Sequence, residues 1–486
     1  MGETLKISTR NNTLKSAEWL LIFTAIIVSR LLTSIYYIEE PDSMRFALAL
    51  TEFDVLKLQP HFPGYPVFCW FTKLLYNVTG SMGVTFSIAG GLSVCVVLYS
   101  LTGILSMITK AFSRPGIYVV VVLVAFNPLL WVLSTSYMPD CMGAAMVCFI
   151  ALLYCRAIHD QQIKIVIWAM FFTGLLAGTR VSYIPFVLPL AIYSFYYYGR
   201  RNIQILAGTA GVLIWLVPFV FITGFNQLFA AAATHTGGHF NDWGGSFITE
   251  NNTILRFKML IKGIWADGLG AYWPGRNLVT VVTSVLLTAI ILLPAFLKTN
   301  SSAALHRKII YLLFAGAAAY LLWILLGQNI IYKARHVLPL IPVLLLFIVL
   351  CINNIFIQSV KMAYPVILFF LASYAFTGAA IAIQHKQPTA IAQAKSFLTN
   401  KTNAGNTVIL ALGLVNDYLH IQGIEAQYVE LRSKAELDGA AERFAGKKIY
   451  YIGLDVNENL QAKQKHTFYH NPYVNRMWPV VEVIEL

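Results

Sequence analysis

VTFSIAGGLSVCVVLYSLTGILSMI, at residues 84–108, decides the fold because it holds no charged side chain over its whole length. A helix rises by about 1.5 Å per residue, so a run of this length crosses the hydrocarbon core of a bilayer, which is about 30 Å thick. Similar apolar runs recur from residue 19 to about residue 383. The sequence therefore predicts a polytopic α-helical membrane protein.

The composition of the whole chain agrees with this interpretation. The 486 residues are 58% hydrophobic and 12% charged. A soluble globular protein carries about 25% charged residues, so this chain has too little polar surface for a water-soluble body of its size. The first apolar run, near 17–37, is followed by acidic residues and not by a small-residue cleavage site. We therefore predict a retained helix and not a removed signal peptide.

The spacing of the apolar runs predicts about eleven transmembrane helices. They lie near residues 17–37, 84–108, 116–136, 141–157, 164–179, 181–198, 203–224, 277–297, 309–327, 337–357 and 363–383. The fifth and sixth are short, because the chain must leave and regain one side between Lys164 and Arg200, with Arg180 near the turn. Two long loops, 38–83 and 225–276, lie on the outer side of this predicted transmembrane domain, residues 1–386.

The net charge of +13 follows from the predicted topology. One set of loops is basic, at Lys6, Arg10, Lys15, Lys110, Arg114, Arg156, Lys164, Arg200, Arg201, Lys298, Arg307, Lys308 and Lys361. The intervening loops are acidic, at Glu39, Glu40, Asp42, Glu52, Asp54, Asp140, Asp242, Glu250 and Asp267. The positive-inside rule then predicts a cytoplasmic N-terminus. The basic excess implies no nucleic-acid partner.

Residues 387–486 differ from the rest in composition and alternate between helix and strand patterns. Residues 406–413, 424–431 and 447–454 have the pattern of strands, and 479–486 that of an edge strand. Residues 390–398, 414–421 and 433–445 have the pattern of helices. We therefore predict a small soluble α/β domain, which an odd number of crossings places outside the cytoplasm. It has no glycine-rich nucleotide fingerprint.

The segment EEPDSMRFALALTEFDVLKLQPHFPGYPVF, residues 39–68, carries the first candidate site. Asp42 lies at the membrane surface, where a carboxylate can deprotonate an acceptor hydroxyl if one substrate is a membrane-anchored phosphate ester. Alternatively, the acids of this segment are solvated loop residues. Its prolines and Gly64 predict a rigid turn, which either aims His61 and Tyr65 at a site or serves structure alone.

Two further candidates lie at the ends of predicted helices. Asp140 precedes the fourth helix and either orients an acceptor, helps to bind a cation, or is a simple N-cap. Arg180 lies in a very apolar stretch, where an ionisable residue is costly and is a functional candidate by default. The alternative is that Arg180 extends to the outer interface. Arg30, in the first helix, is a similar candidate.

QNIIYKARHVLPLIP, residues 328–342, carries basic residues on the side where the positive-inside rule disfavours them. Arginine binds phosphate in a forked geometry, so Lys333, Arg335 and His336 suit a lipid phosphate or pyrophosphate. The alternative is an anchor to lipid headgroups. In the second outer loop, His235, His239 and Asp242 resemble a metal site only loosely, and we favour a loop that orders over substrate.

Together, these motifs resemble the GT-C superfamily of integral membrane glycosyltransferases. Asp42 through HFPGYP is similar to the protein O-mannosyltransferase-like branch, and KARHVLPLIP to an element of lipid A aminoarabinose transferases. GLLAGTRVSYIPF, residues 174–186, is similar to a G-x-R-x-S element of the same group. The resemblance covers nearly the whole chain in topology, but only these short motifs in sequence.

The resemblance implies a donor sugar on a polyprenyl phosphate and an acceptor at the outer membrane face. By motif match, Asp42 is the catalytic base and Asp140 the second catalytic acid residue. Arg335 and Lys333 bind the donor phosphate, with Arg180 in support. We expect substrate contacts from His61, Tyr65, Glu40, His336 and His239. Because EEPDS differs from the paired D-E of many protein mannosyltransferases, the base is either Asp42 or Glu40.

The predicted function is an inverting glycosyltransferase, transferring a hexose or pentose to a hydroxyl of a glycan, lipid or protein. We expect it in a bacterial inner (plasma) membrane among membrane lipids, with the C-terminal domain periplasmic or extracellular. The resemblance leaves a need for a divalent metal open. The alternatives are a transporter or flippase for a lipid-linked or anionic substrate, and a scaffold whose tail binds partners. Transporters often carry internal repeats, and the sequence has no evident repeat.

Overall fold

The computed structural model describes residues 14–109, 112, 114–238, 246–250, 252–296, 306–358, 360–403, 405–431, 443–444, 446–454 and 463–486. A helical body comes first. Its helices are α1 (Ser16–Leu32), α2 (Pro41–Leu48), α3 (Pro66–Thr79), α4 (Met82–Ile108), α5 (Arg114–Ala125), α6 (Pro128–Leu133), α7 (Asp140–Asp160), α8 (Ile163–Arg180), α9 (Ile184–Tyr197), α10 (Arg201–Thr223), α11 (Phe225–Gly237), α12 (Thr253–Lys262), α13 (Leu278–Phe296), α14 (Arg307–Gly327), α15 (Ile341–Ile357) and α16 (Ala363–His385).

Within the described residues, eight helical stretches are long and apolar enough to cross a membrane. They are Met82–Ile108, Asp140–Asp160, Ile163–Tyr197, Arg201–Thr223, Leu278–Ala295, Arg307–Gly327, Ala334–Ile357 and Ala363–Gln384. The polytopic helical membrane protein is thus confirmed, whereas the count of eleven crossings is not. The predicted first crossing is the 17-residue α1, and the third is divided between α5 and α6.

The stretch Ile163–Tyr197 reverses direction after α8. At the end of α8, Arg180 bonds Asp140, the first residue of α7, at 3.0 Å. Just after α9, the Tyr198 hydroxyl donates to the carbonyl of Ala157, near the other end of α7, at 2.5 Å. Since α7 is one helix of 21 residues, these two bonds place the two ends of α9 near opposite ends of α7. The reversal agrees with the predicted pair of short crossings.

The break between α5 and α6 is held by polar groups. Asn127 caps α6, and its amide donates to Gly268 O and to the Tyr374 hydroxyl, both at 2.7 Å.

Arg30 of α1 reaches the same region, where Nε donates to Ser134 Oγ at 3.1 Å and Nη2 to Ala125 O at 2.7 Å. The guanidinium carbon of Arg30 lies 4.4 Å from the centre of the Trp131 ring. The sequence made Arg30 a candidate functional residue. These contacts explain its buried charge by the packing of α1 against α5 and α6.

The first outer loop begins with α2 and turns at the prolines. Pro41 is the first residue of α2, where a proline ring fits because no helical hydrogen bond is lost there. The Gln59–Pro60 and Phe62–Pro63 bonds are cis, and Tyr65 has a φ of 45° just before α3. The loop is packed against the rest of the chain: Phe46, Phe68, Phe86 and Tyr137 are buried in one cluster.

The C-terminal unit is a mixed sheet with helices. It contains α17 (Ala390–Leu398), β1 (Thr407–Ala411), α18 (Gly413–Ile421), β2 (Gln427–Glu430), β3 (Lys448–Gly453), β4 (Gln464–Tyr469) and β5 (Val480–Glu485). The strand order is β2-β1-β3-β5-β4. β1 is parallel to β2 and β3, and β5 is antiparallel to β3 and β4. The predicted small α/β domain is confirmed as a fold.

Two details of that prediction need correction. The segment 479–486, predicted as an edge strand, lies inside the sheet because β4 pairs on its outer side. β4 was missed since QKHTFY is polar and half-exposed, with only a weak apolar alternation. The predicted helix 433–445 lies outside the described residues except at 443–444.

The C-terminal unit packs directly on the first outer loop. The Tyr418 hydroxyl donates to Ile38 O at 2.6 Å, and Thr389 Oγ1 donates to Glu39 O at 2.9 Å. Met44 of α2 is buried in the same hydrophobic cluster as Val415 and Tyr418 of α18. The loop that carries the candidate acids is therefore covered on one side by this unit.

Because the chain reverses after α8, we predict that a cysteine at the turn between α8 and α9 faces one side of the membrane. Cysteines beside the opposite ends of these two helices should face the other side. Gln162→Cys and Asn202→Cys should react with an impermeant maleimide from one side, and Ser182→Cys only from the other. The six native cysteines are buried, so background labelling should be low. Labelling of all three from the same side would contradict the reversal.

Candidate active site

A cluster of charged side chains forms where α2, α7, α8 and the 3-10 turn Ala334–Leu340 meet. Arg335 lies at its centre, with its side chain 11% exposed. Its Nη1 bonds Glu40 Oε1, its Nη2 bonds Asp42 Oδ2 at 2.6 Å, and its Nε lies 4.0 Å from Asp140 Oδ2. One guanidinium thus faces three carboxylates that precede it by about 200 to 300 residues.

Asp42 has two more cationic neighbours. Lys333 Nζ bonds Asp42 Oδ2, the oxygen that Arg335 also contacts, and Arg45 Nη1 lies 3.7 Å from Oδ1. Burial alone would raise the pKa of the Asp42 carboxyl, but Lys333 and Arg335 hold that pKa well below its usual range. Asp42 is therefore ionised near neutral pH. While both cations hold it, it is a weak base.

Asp140 and Arg180 form a buried pair beside this cluster. Asp140 Oδ1 accepts from Arg180 Nη2 at 3.0 Å and from the Tyr183 hydroxyl at 3.1 Å, and Asp140 is fully buried. The N-cap interpretation of Asp140 is wrong, because Pro139 holds that position without a side-chain cap. Arg180 is 5% exposed, so it pairs inside the protein and does not extend to the interface.

His61 and Tyr65 meet at the proline turn next to these pairs. The Tyr65 hydroxyl lies 3.2 Å from His61 Nε2, and the His61 ring stacks on His235 with centres 5.4 Å apart. Burial holds the pKa of His61 well below its usual value, so the ring is neutral. The Arg180 guanidinium lies 5.5 Å from the centre of the Tyr65 ring. The turn therefore joins two outer loops to the charged cluster.

The interpretation of Glu39, Glu40 and Asp42 as solvated loop acids is wrong for the first two, which are each 4% exposed. Glu39 was not assigned a partner from sequence. Its Oε1 bonds His385 Nε2 at 2.6 Å, and His385 Nδ1 lies 3.0 Å from Thr135 Oγ1. No local pattern marks His385, because its partners are more than 200 residues away.

The other residues that the sequence predicts for the site are not all found beside the charged cluster. His336 is buried beside Arg335, and its carbonyl accepts from the Tyr320 hydroxyl at 2.9 Å. His239 and Asp242 lie outside the described residues. Among the residues that are described, no group of three or more His, Cys, Asp or Glu side chains is arranged to hold a metal ion. The roles assigned to all these residues from sequence stay predictions.

A cavity adjoins the charged cluster on the side of Glu40. Glu40, Lys333 and Arg335 line it, together with Asn475 and Arg476 of the C-terminal unit. Arg476 Nη2 bonds Asp267 in the second outer loop, and Nη1 donates to Ile330 O at 3.2 Å. Burial raises the pKa of the Asp267 carboxyl, which Arg476 partly offsets. Neither Arg476 nor Asp267 was singled out from sequence.

Comparison with known proteins identifies the fold. The crystal structure of ArnT from Cupriavidus metallidurans bound to undecaprenyl phosphate is similar to the chain, with a TM-score of 0.53 and 11% identity. The match covers 97% of this chain and 98% of that one. The chain has the GT-C fold. The predicted resemblance to GT-C membrane glycosyltransferases is thus confirmed.

Two further comparisons agree with this fold. The Archaeoglobus fulgidus oligosaccharyltransferase, tethered to an acceptor peptide containing the NVT sequon, has a TM-score of 0.51 and 10% identity, over 90% of this chain and 69% of that one. A family model described as dolichyl-phosphate-mannose-protein mannosyltransferase matches residues 60–223, about a third of the chain. No curated protein matches in sequence.

The buried pair of Asp140 and Arg180 predicts a non-additive effect on stability. Arg180→Met should lower the free energy of unfolding by about 3–5 kcal/mol, because it leaves buried Asp140 without its hydrogen-bonded cation. The double variant Asp140→Leu/Arg180→Met should lose much less. Thermal unfolding in detergent measures both effects.

Arg114→Met is the matched control, because the Arg114–Glu18 pair lies at the surface and surface pairs contribute little to stability. Equal losses for the single and double variants at positions 140 and 180 would contradict a coupled pair.

Proposed function

We propose that this protein transfers a sugar from a polyprenyl-phosphate-linked donor to an acceptor hydroxyl, with the charged cluster as its active site. One observation carries the proposal: Lys333 and Arg335 converge on one carboxylate oxygen of Asp42. Arginine and lysine are the side chains that most strongly bind a phosphate, and here they meet at one point. The similar structures support this ligand, since the ArnT structure has bound undecaprenyl phosphate and a structure of the Archaeoglobus fulgidus oligosaccharyltransferase is a complex with a dolichol-phosphate.

The charge of the cluster favours an anion. Its cations are Arg45, Arg180, Lys333 and Arg335, and its carboxylates are Glu40, Asp42 and Asp140. Four cations against three carboxylates leave one formal positive charge. A sugar-bearing polyprenyl phosphate is a phosphodiester with one negative charge, so its arrival neutralises the cluster and offsets the cost of burying charge.

Donor binding would also activate the base. The donor phosphate takes over hydrogen bonds of Lys333 and Arg335, which loosens their hold on Asp42. The pKa of the carboxyl then rises toward its usual range, and Asp42 becomes a better proton acceptor. The protein would therefore bind its donor before it deprotonates the acceptor.

In the proposed transfer, the acceptor oxygen attacks the anomeric carbon while its proton passes to Asp42. The bond from the anomeric carbon to the phosphate oxygen breaks, and the electron pair leaves with the lipid phosphate. Arg335 and Lys333 stabilise the negative charge that develops there. Attack from the face opposite the leaving group inverts the anomeric configuration. The sugar, hexose or pentose, is not specified by these residues.

Asp140 is proposed to orient the acceptor. Its Oδ1 is held by Arg180 and Tyr183, whereas its buried Oδ2 has no hydrogen-bond partner among the described residues. A buried oxygen without a hydrogen bond is costly, and an acceptor hydroxyl would supply one. Glu40 remains the second candidate for the base, because it lines the cavity beside Arg335.

The setting of the reaction is inferred from charge placement. Basic loops on one side and acidic loops on the other support a cytoplasmic N-terminus and an active site at the outer face. The extracytoplasmic unit, residues 387–486, would then cover the site, as its packing on α2 suggests. We propose a bacterial plasma membrane, with a glycan, lipid or protein as acceptor.

Substitution of Asp42 tests the proposal. Asp42→Asn should lower transfer from a radiolabelled polyprenyl-phosphate sugar in detergent by about 100-fold or more, because general-base catalysis contributes that much. Arg335→Gln should lower it as strongly. Glu52→Gln, an exposed acid of the same loop, is the matched control and should keep full activity.

The same assay separates the two candidate bases. Loss in Glu40→Gln with full activity in Asp42→Asn would assign the base to Glu40. Full activity in both variants would contradict a carboxylate base in this loop.

A further inference from the structure

The cavity beside Arg335 has one wall from the membrane body and one from the C-terminal unit. The body contributes Glu40 and the segment Tyr332–Arg335, and the C-terminal unit contributes the segment Pro472–Arg476. Apolar side chains of α6, including Leu129 and Leu133, also line it. Carboxylate, amide, guanidinium and aromatic groups thus surround one space, and a ligand that exposes both hydroxyl groups and C–H faces matches them.

Arg476 carries a buried donor without an acceptor. Its side chain is 4% exposed; Nη2 bonds Asp267 and Nη1 donates to Ile330 O, but Nε has no hydrogen-bond partner among the described residues. A buried N–H without an acceptor is energetically costly. Because Arg476 lines the cavity, an oxygen of a bound ligand can supply the missing acceptor.

Tyr332 adds an aromatic surface to the same cavity. It lines the cavity and is 55% exposed, although the preceding residue, Ile331, is buried. An aromatic ring at a binding surface offers a large contact area with little conformational freedom to lose. The C–H face of a sugar ring packs against such a surface, while its hydroxyls reach the polar groups.

The position of the cavity beside the residues proposed to bind phosphate indicates which ligand it holds. Lys333 and Arg335 belong both to the proposed phosphate site and to the lining of the cavity. The sugar of the donor is bonded directly to that phosphate, so its ring must lie in the space next to these two side chains. We propose that this cavity binds the donor sugar and that the segment Pro472–Arg476 of the C-terminal unit selects it, an inference that rests on the proposed function.

The segment is fixed in position by contacts outside the cavity. The Tyr473 hydroxyl donates to Pro274 O at 3.0 Å. The Tyr473 ring lies 4.9 Å from Lys262 Nζ and 4.5 Å from the guanidinium carbon of Arg276. Together with the Arg476–Asp267 ion pair, these contacts hold the segment on the second outer loop. The C-terminal unit therefore contributes a positioned wall to the cavity.

Lipid binding to the full-length protein in detergent tests the inference. The probes are bare undecaprenyl phosphate and undecaprenyl phosphate carrying mannose, glucose or arabinose. The wild type should bind at least one sugar-bearing lipid more tightly than the bare lipid. Arg476→Lys keeps a cation for Asp267 but removes the Nε donor, and Tyr332→Ala removes the ring. Each should reduce that preference about tenfold and leave binding of the bare lipid within about twofold.

Matched controls lie away from the cavity. Arg256→Lys changes a buried arginine whose partners include the carbonyls of Leu325 and Gln328, and Tyr469→Ala removes an exposed tyrosine of β4. Both should keep the preference of the wild type.

The outcomes separate the inference from the proposed function. If the wild type binds bare undecaprenyl phosphate but prefers none of the sugar-bearing lipids, the inference is wrong and the phosphate site stands. The same holds if the Arg476 and Tyr332 variants keep the wild-type preference. If the wild type binds neither bare nor sugar-bearing lipid, the proposed function fails and the inference fails with it.

Discussion

The Arg335 guanidinium, placed among Glu40, Asp42 and Asp140, is the interaction on which the rest of the site depends. A charge that is largely removed from water requires partners, because its desolvation costs several kcal/mol. Here the partners come from the first outer loop and from the start of α7. The 3-10 turn that carries Arg335 thereby fixes α2 against the helical body, and the C-terminal unit also packs on α2, at Met44.

In the proposed mechanism, the same interaction also keeps the base inactive before the donor binds. An ionised carboxylate held by two cations is a weak base, as the lowered pKa of Asp42 expresses. In the proposed reaction, a lipid phosphate competes for those cations, and only then does Asp42 become available. Under this account, the cations that recognise the donor also keep the base inactive until the donor arrives.

The sequence was sufficient for the fold class and for most residues of the cluster. Uncharged runs predict helices, and Asp42, Asp140, Arg180 and Arg335 stand out because charge is costly near a membrane. Their pairing was not predictable, since a linear pattern does not tell which distant residues meet. The bond between Glu39 and His385 and the ion pair between Arg476 and Asp267 span more than 200 residues, and neither has a local signal. β4 was missed because its residues are mostly polar.

A cryo-electron microscopy map of the full-length protein with undecaprenyl phosphate tests the central claim most directly. The account predicts phosphate density within hydrogen-bond distance of Arg335 and Lys333, with the Asp42 carboxylate released from at least one of them. Phosphate density away from these two residues, with their bonds to Asp42 intact, would contradict it.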